Sequence, residues 1–243
     1  MIDFHCHILP GIDDGSQNME QSLELACQSV EEGVTHIVTT PHGNHDILHQ
    51  QLCRRDKALD ELRARLEQEN IPLQLISGME YRADGEFWKA VQEAPECRCG
   101  VDKGEERPLL LEIPLNMDIS LAEDVYFKAQ LKGVKIVLAH PERYEGFVRN
   151  ADMLLSLLDR GAFLQFNAAS LHHGFLFFDS LPKTILKLIG HAPNQILLGS
   201  DAHHPEHRPA GFASAREYVT KRLGEEVWKL MTESTPRKLL GLE

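Results

Sequence analysis

Apolar runs and amphipathic stretches alternate along this chain, and the alternation predicts seven strands, each followed by a helix or a polar loop. Strands are predicted where β-branched or bulky apolar residues cluster between glycine, proline and polar residues. They cover residues 2–7, 35–40, 73–77, 108–113, 134–139, 163–166 and 195–198. Between them, apolar residues recur at helical spacing. The first predicted helix is capped by Asn18, has Gln21 at its third position and ends at Gly33.

The other helices are predicted over about 51–70, 86–93, 121–132, 150–160, 181–189, 213–222, 225–231 and 236–240, the last three as packing material. Residues 94–107, with a glycine and clustered charges, predict an exposed excursion. Strict alternation of strands and helices indicates an α/β fold with a parallel sheet. Because titratable residues follow nearly every strand, the pattern favours a closed barrel with its site at the carboxyl ends of the strands. An open doubly wound sheet would bind only at its switch point.

Length and composition fit one well-cored domain. A chain of 243 residues is a common size for a single barrel, and 42% hydrophobic with 26% charged residues excludes disordered and collagen-like classes. The formal net charge of -12 repels phosphate backbones, so nucleic acid is a disfavoured partner unless bound metals reverse the local sign. There is no run of 18 apolar residues and no signal-peptide pattern. We therefore expect a soluble, cytoplasmic protein that does not span a membrane.

The five cysteines are Cys6, Cys27, Cys53, Cys97 and Cys99. Their odd number and scattered positions do not form a disulfide framework, which fits a reducing compartment. The pair Cys97 and Cys99 can bind a metal or oxidise, but no second pair completes a zinc site. A cysteine nucleophile in a phosphate-cradling loop needs an arginine six residues after it, and none of the five has one. A thiolate mechanism is therefore not indicated.

Imidazoles and carboxylates follow most of the predicted strands. If the first run is a strand, His5 and His7 point to one face, and a proline-glycine break then places Asp13 and Asp14 on a turn nearby. The nine candidate ligands are His5, His7, Asp14, His42, Glu80, Glu112, His140, Asp201 and His203. Judged alone, His42 can merely occupy a loop and Glu80 can be a surface carboxylate. The joint pattern across at least six strands favours a site.

Nine nitrogen and oxygen ligands exceed what one or two ions use, so the set suggests three metal ions. Mixed imidazole and carboxylate shells suit manganese, iron or zinc better than calcium. Such a cluster lowers the pKa of a bridging water and neutralises charge on phosphoryl oxygens during in-line attack. The residue types therefore point to metal-assisted phosphoryl chemistry.

The chain resembles the PHP (polymerase and histidinol phosphatase) superfamily over essentially its whole length. Within it, the resemblance is greatest to the bacterial protein-tyrosine phosphatases encoded with capsule and exopolysaccharide genes. The stretches that carry it are HCHILPGIDDG at 5–15, TTPH at 39–42, GMEYR at 78–82, LEIP at 111–114, AHPERY at 139–144 and SDAH at 200–203. The resemblance implies a distorted (β/α)7 TIM-like barrel, one domain over residues 1–243, and a trinuclear site.

The resemblance also implies a role for each ligand by position. His5, His7, Glu80 and Asp201 would hold one ion, Asp14, His42 and His203 a second, and Glu80, Glu112 and His140 a third, with Glu80 bridging. Distant superfamily members carry histidine where Asp14 and Glu112 stand, and the more anionic set favours manganese or iron over zinc. Asp13 is left with a supporting role.

Two arginines, Arg143 and Arg208, are implied to bind phosphate. Their guanidinium groups offer paired donors that match phosphate oxygens at any working pH. The alternative for each is a surface ion pair, with Glu142 for Arg143 and with Glu206 for Arg208.

The implied activity is hydrolysis of phosphotyrosine by attack of a metal-bridging hydroxide. The implied substrate is the tyrosine-rich tail of a bacterial kinase that controls polysaccharide export. A small-molecule phosphomonoesterase such as histidinol phosphatase is one alternative. The other is a non-catalytic module stabilised by metals, although such modules usually lose ligands and here all nine positions are filled. The sequence leaves open the oligomeric state and whether residues 175–178 (FLFF) start a buried helix or form an apolar lip.

Overall fold

The computed structural model describes residues 1–83, 87, 89, 92, 94–101, 106–114, 116–171 and 180–242. Its strands form the inner layer, and they are short because each carries only a few consecutive apolar residues. They are β1 (Ile2–Cys6), β2 (His36–Thr39), β3 (His42–Gly43), β4 (Gln74–Ser77), β5 (Glu80–Arg82), β6 (Leu109–Glu112), β7 (Ile136–Ala139), β8 (Phe163–Asn167) and β9 (Ile196–Gly199).

Amphipathic helices cover the strands. They are α1 (Met19–Glu31), α2 (Leu48–Gln68), α3 (Leu121–Leu131), α4 (Ala151–Asp159), α5 (Ser180–His191), α6 (Phe212–Leu223), α7 (Glu225–Lys229) and α8 (Thr235–Leu240). The predicted cap of α1 is confirmed, since Asn18 Oδ1 accepts a hydrogen bond from Gln21 N at 3.0 Å. The predicted helix over 86–93 lies largely, and the segment 175–178 entirely, outside the described residues. Within the described residues, no helix combines the length and the apolar character needed to cross a membrane.

Every pairing between the strands is parallel, as the alternation of strands and helices predicts. One sheet has the order β1-β2-β4 and the other the order β3-β5-β6-β7-β8-β9. The second and third predicted strands are each continued, after a two-residue break, by a short further strand, so the described chain has nine strands where seven were predicted. Pro41 lies in the first break, where it cannot donate to a sheet hydrogen bond.

The first and last strands meet at their carboxyl ends. Asp201 N donates to the carbonyl of His5 at 2.7 Å, and His7 N donates to the carbonyl of Ala202 at 3.0 Å. Below them the fully buried Asp3 accepts hydrogen bonds from Ser200 N at 2.8 Å and Ser200 Oγ at 2.6 Å. These contacts join the two sheets beside the candidate ligands.

An inner apolar cluster fills the space between the strands. Ile2, Phe4 and Val38 belong to it, and Leu239 and Leu240 of α8 enter it from the C-terminal segment. For the last C-terminal helix, the prediction of a packing role is therefore confirmed. The ligands lie at the opposite, carboxyl ends of the strands, so the apolar cluster supports the site from below.

The prediction of an exposed excursion over 94–107 is wrong for its described first part. Ala94, Cys97 and Cys99 are fully buried. The buried guanidinium of Arg55 supports this segment by donating to the carbonyl of Glu96 at 2.8 Å. Cysteine side chains pack as small hydrophobes, so they outweigh the neighbouring charges in this segment. All five cysteines are free thiols.

Candidate metal centre

The nine predicted ligands converge at the carboxyl ends of the strands. His5 lies on β1, His7 and Asp14 in the loop after it, His42 on β3, Glu80 on β5, Glu112 at the end of β6, His140 directly after β7, and Asp201 and His203 after β9. Parallel strands bring their carboxyl ends to one edge, so residues far apart in sequence meet there. Glu80 is only 1% exposed, which rules out its reading as a surface carboxylate.

The ligand atoms form three overlapping groups, in each of which all atoms lie within 4.8 Å of one another. The groups are His7, Asp14, His42 and His203; His5, His7 and Glu80; and His42, Glu80 and Glu112. The two remaining ligands are close by, since His140 Nε2 lies 2.7 Å from Glu80 Oε1 and Asp201 Oδ1 lies 3.5 Å from His5 Nε2. Glu80 therefore occupies the centre of the set.

Acceptors behind the rings orient two of the imidazoles. His7 Nδ1 donates to Asp13 Oδ2 at 2.7 Å, and His203 Nδ1 donates to the carbonyl of Asp201 at 2.8 Å. A proton on Nδ1 leaves the lone pair of Nε2 facing the centre, which is how proteins prepare histidine for a metal. The Nε2 atoms of His5 and His7 lie 3.0 Å apart.

Three buried polar atoms in the centre have no hydrogen-bond partner within the described residues: Glu80 Oε2, Asp201 Oδ1 and His140 Nδ1. Glu80 Oε2 is nevertheless surrounded by ring nitrogens, with His42 Nδ1 at 2.9 Å and His7 Nε2 at 3.3 Å. Buried polar atoms are almost always satisfied, so the two carboxylate oxygens point to an ion as their missing partner. The donor set therefore fits divalent transition metals.

The backbone is turned unfavourably at two of the ligands. His140 has φ 29° and Asp201 has φ 53°, and the described chain has one other non-glycine residue with positive φ, Asn70. Such angles cost about 1–3 kcal/mol and cluster at functional sites. Here they turn the side chain inward directly after β7 and β9.

The electrostatics keep the inner carboxylates charged. Burial works to raise the pKa of Glu80 and Asp201, but the surrounding imidazoles hold both pKa values well below their ordinary range. Burial, followed by the charge of Glu80, raises the pKa of Glu112. Burial and the nearby positive charges lower the pKa of His203 to about 4, so this ring is neutral at physiological pH. Burial lowers the pKa of His5, His7 and His42, but the neighbouring carboxylates outweigh it and raise all three. Because metals bind charged carboxylates and neutral imidazoles, an ion would displace these protons.

The two predicted phosphate-binding arginines reach the same carboxylate oxygen. Arg143 Nη1 donates to Asp201 Oδ2 at 3.0 Å, and Arg208 Nη2 forms a very short contact with that atom. The alternative pairs with Glu142 and Glu206 are absent from the ion pairs of the described residues. Asp201 therefore holds both guanidinium groups beside the ligands.

A cavity of about 380 Å³ opens over the centre. It is lined by Asp14, His42, Arg82, Glu112, Asn116, Arg143, Asp201, His203 and Arg208. Sequence reasoning missed Arg82 and Asn116. The sequence feature that could have identified Arg82 is its position two residues after Glu80 on one strand, because this spacing places both side chains on the same face.

Three further residues support the ligands from behind. Asp13, assigned a supporting role from the sequence, accepts hydrogen bonds from His7 Nδ1 at 2.7 Å and His42 N at 3.0 Å. Gln165 and Asn167 on β8 were not singled out, although both bond to residues of the centre. Their signal was two polar residues at alternate positions of an otherwise apolar strand.

Comparison with curated proteins finds relatives over nearly the whole chain. Residues 1–241 match the family model described as capsular polysaccharide synthesis, CpsB/CapC. Tyrosine-protein phosphatase YwqE of Bacillus subtilis (strain 168) is 33% identical over 235 residues, which are 96% of this chain and 89% of that protein. The putative tyrosine-protein phosphatase CapC of Staphylococcus aureus is 32% identical, covering 86% of this chain and 79% of its own. Tyrosine-protein phosphatase CpsB of Streptococcus pneumoniae is 24% identical, with coverage of 99% and 98%.

Solved structures agree with the sequence relatives. One, described with YwqE from Bacillus subtilis and CpsB from Streptococcus pneumoniae as unique metal-dependent tyrosine phosphatases, superposes with a TM-score of 0.83 at 32% identity, covering 98% of this chain and 94% of its own. A phosphotriesterase homology protein from Escherichia coli, complexed with phosphate in its active site, gives 0.64 at 12% identity, with 98% of each chain covered. At that identity the second likeness shows the fold alone, an α/β fold with parallel sheets.

Proposed function

The chain belongs to the capsular polysaccharide synthesis CpsB/CapC family, and from this premise we propose that it is a metal-dependent protein-tyrosine phosphatase. The observation that carries the proposal is the convergence of five imidazoles and four carboxylates beneath a cavity that two arginines enter. Its relatives at 24–33% identity are named tyrosine-protein phosphatases. Metal ligands below and guanidinium groups above suit a phosphate monoester, whose charge must be neutralised on several sides.

The centre is proposed to hold three ions, manganese in the first place and iron or zinc as alternatives. His5, His7, Glu80 and Asp201 would bind one, Asp14, His42 and His203 a second, and Glu80, Glu112 and His140 the third. Bound there, the metals supply Lewis acidity and a water of lowered pKa. Glu80 belongs to two of the three overlapping ligand groups, which supports its bridging role.

The chain's own residues perform the remaining tasks. Arg143 and Arg208 bind the non-bridging phosphoryl oxygens, and the buried carboxylate of Asp201 keeps both guanidinium groups in place. The neutral ring of His203 presents Nε2 as a ligand because its Nδ1 proton is held by a backbone carbonyl. The carboxylate of Asp13 holds the Nδ1 proton of His7 in the same way, which leaves Nε2 of His7 as the ligand atom.

The substrate is proposed to be phosphotyrosine in the tail of a bacterial tyrosine kinase that controls polysaccharide export. A cavity of about 380 Å³ is within the usual range for small ligands and has room for a phosphotyrosyl side chain. The five free thiols support a cytoplasmic site of action. We also propose that the two sheets close into one distorted (β/α)7 barrel over residues 1–243, which the contacts between β1 and β9 support.

The test compares the protein with its metal-stripped form on p-nitrophenyl phosphate, a phosphotyrosyl peptide and histidinol phosphate. His42→Ala and His140→Ala should abolish hydrolysis while the far-UV circular dichroism stays unchanged. His191→Ala is the matched control, because His191 is an exposed histidine that pairs with Asp159 far from the cavity.

Each alternative has its own outcome. Preferred turnover of histidinol phosphate would indicate a small-molecule phosphatase. No turnover of any substrate by the fully metallated protein would indicate a metal-stabilised module without catalysis. Full activity of the metal-stripped protein would refute the proposal.

A further inference from the structure

Strand β8 supplies none of the nine ligands, although its neighbours β7 and β9 are followed by His140 and Asp201. It contributes two amides instead. Gln165 is fully buried and Asn167 is 8% exposed, and their spacing of two along the strand directs both to one face. These two residues, called here the amide pair, bond to ligands on both sides of β8.

The orientation of the Gln165 amide follows from its partners. Its Oε1 atom is 3.3 Å from His140 N and 2.9 Å from His5 Nδ1. A backbone N–H can only donate, so the atom facing it must be the oxygen. The same oxygen then accepts from His5, which requires the proton of a neutral His5 ring to be on Nδ1.

The orientation of Asn167 is settled from the other end. Its Nδ2 donates to Asp201 Oδ2 at 2.8 Å, and a charged carboxylate can only accept. Its Oδ1 therefore faces Gln165 Nε2, which donates to it at 3.1 Å. A backbone N–H at one end and a carboxylate at the other thus allow a single arrangement of both amides.

This arrangement has an electrostatic consequence at His5 and His7. Asp13 already holds a proton of His7 on Nδ1, so in the neutral forms that bind metal the two rings would present the lone pairs of their Nε2 atoms to each other at 3.0 Å. Facing lone pairs repel, and a cation bound between the rings and the carboxylates relieves the repulsion. The ligands are therefore oriented before any ion binds.

We propose that the amide pair positions the metal ligands of the neighbouring strands. Gln165 keeps His5 in the Nδ1–H form with Nε2 facing the centre, and Asn167 restrains the Asp201 carboxylate. The inference rests on the proposed metal centre, but it is independent of which phosphate ester is hydrolysed. Without Gln165, the His5 proton is free to move to Nε2, where it blocks coordination.

The first experiment observes the tautomer directly. In metal-free, ¹⁵N-histidine-labelled protein, at a pH high enough for the His5 ring to be neutral, long-range ¹H–¹⁵N correlation distinguishes Nδ1–H from Nε2–H. His5 should carry its proton on Nδ1 in the wild type and in Gln165→Glu, whose carboxylate still accepts from His5 and His140 but no longer donates to Asn167. In Gln165→Met, which keeps the volume but has no comparable acceptor, the Nε2–H form should appear.

The second experiment measures metal affinity by competition with a chelator. Gln165→Met should weaken Mn²⁺ binding roughly 10- to 100-fold, the usual effect of losing a residue that orients a ligand. Gln165→Glu should restore most of it, which a mere packing role would not predict. Gln195→Met is the matched control, because Gln195 also makes two hydrogen bonds, to the carbonyls of Leu158 and Ala162, away from the centre.

The outcomes separate this inference from the proposed function. An Nε2–H tautomer of His5 in the metal-free wild type overturns the inference even if every variant fails to fold. Unchanged Mn²⁺ affinity in folded Gln165→Met overturns it as well, while phosphatase activity stands. A wild type that binds Mn²⁺ but hydrolyses no phosphotyrosyl peptide refutes the proposed function and leaves the positioning role intact.

Discussion

Tyr144 offers the sharpest test of how the ligand-bearing strands are held together. Its hydroxyl donates to the carbonyl of Ala139 at 2.9 Å and accepts from Ile113 N at 2.9 Å. Ala139 directly precedes the candidate ligand His140, and Ile113 directly follows the candidate ligand Glu112. The phenol, 3% exposed, therefore joins the ends of β6 and β7 beneath two ligands. Tyr144→Phe removes this one oxygen and little else.

The expected loss of stability follows from the backbone groups that Tyr144→Phe leaves without a hydrogen-bond partner. The buried N–H of Ile113 loses its acceptor, which costs about 1–3 kcal/mol, and the lost bond to Ala139 adds about 1 kcal/mol. The expected loss in the free energy of unfolding is therefore about 3 kcal/mol. For a protein of this size, at about 2–4 °C per kcal/mol, the melting temperature should fall by roughly 6–12 °C.

The assay is urea unfolding of the metal-free protein, followed by circular dichroism and tryptophan fluorescence, with thermal melts in parallel. Tyr126→Phe is the matched control. Its hydroxyl also has two partners, the carbonyl of Arg160 and the amide of Gln130. Both partner residues are exposed, so water can replace the phenol oxygen. A loss below about 1 kcal/mol for Tyr144→Phe, or an equal loss for the control, would refute the reasoning.

Three further predictions follow from the described residues. At neutral pH, Ellman's reagent should react rapidly only with the exposed thiols of Cys27 and Cys53. Burial raises the pKa of the other thiols, to about 12 for Cys97, and keeps them protonated. Rapid reaction of all five thiols would contradict this prediction. Arg82→Ala should raise KM for a phosphotyrosyl peptide roughly tenfold, the value of one charge-assisted hydrogen bond, and an unchanged KM would exclude contact with substrate. Partial burial, followed by nearby positive charges, lowers the pKa of His36, so the folded state binds fewer protons than the unfolded state. The contribution of His36 to stability should therefore rise as the pH rises through about 6.5. The urea midpoint should consequently rise less, or fall more, with pH in His36→Asn than in the wild type, and identical slopes would contradict the assigned shift.

Much of the candidate site could be predicted from the sequence because it depends on residue type and on position after a strand. A metal ligand must be an imidazole or a carboxylate, and a parallel fold presents such residues directly after its strands. His140 and Asp201 follow apolar runs in the printed sequence, so their placement at one edge could be inferred from alternation alone. Parallel pairing could be predicted for the same reason.

The predictions that failed concern burial and ion pairing, which depend on residues far away in the sequence. Residues 94–107 carry clustered charges, yet Cys97 and Cys99 are buried, and Arg55, about forty positions earlier, donates to the backbone carbonyl of Glu96 beside them. Arg143 pairs with Asp201 and not with its sequence neighbour Glu142 because β7 and β9 turn both side chains into one cavity. The separation of two residues along the chain does not predict such contacts.

The sequence by itself determined which atoms are available to bind metal and phosphate, because residue identity and strand-end position are encoded locally. Only the tertiary structure decided which nitrogen of each ring faces the centre. That choice depends on acceptors such as Gln165, which lies 160 positions from His5 and reaches it only when β8 lies beside the ligand strands. Tautomers follow hydrogen-bond geometry, and that geometry exists only in the folded chain.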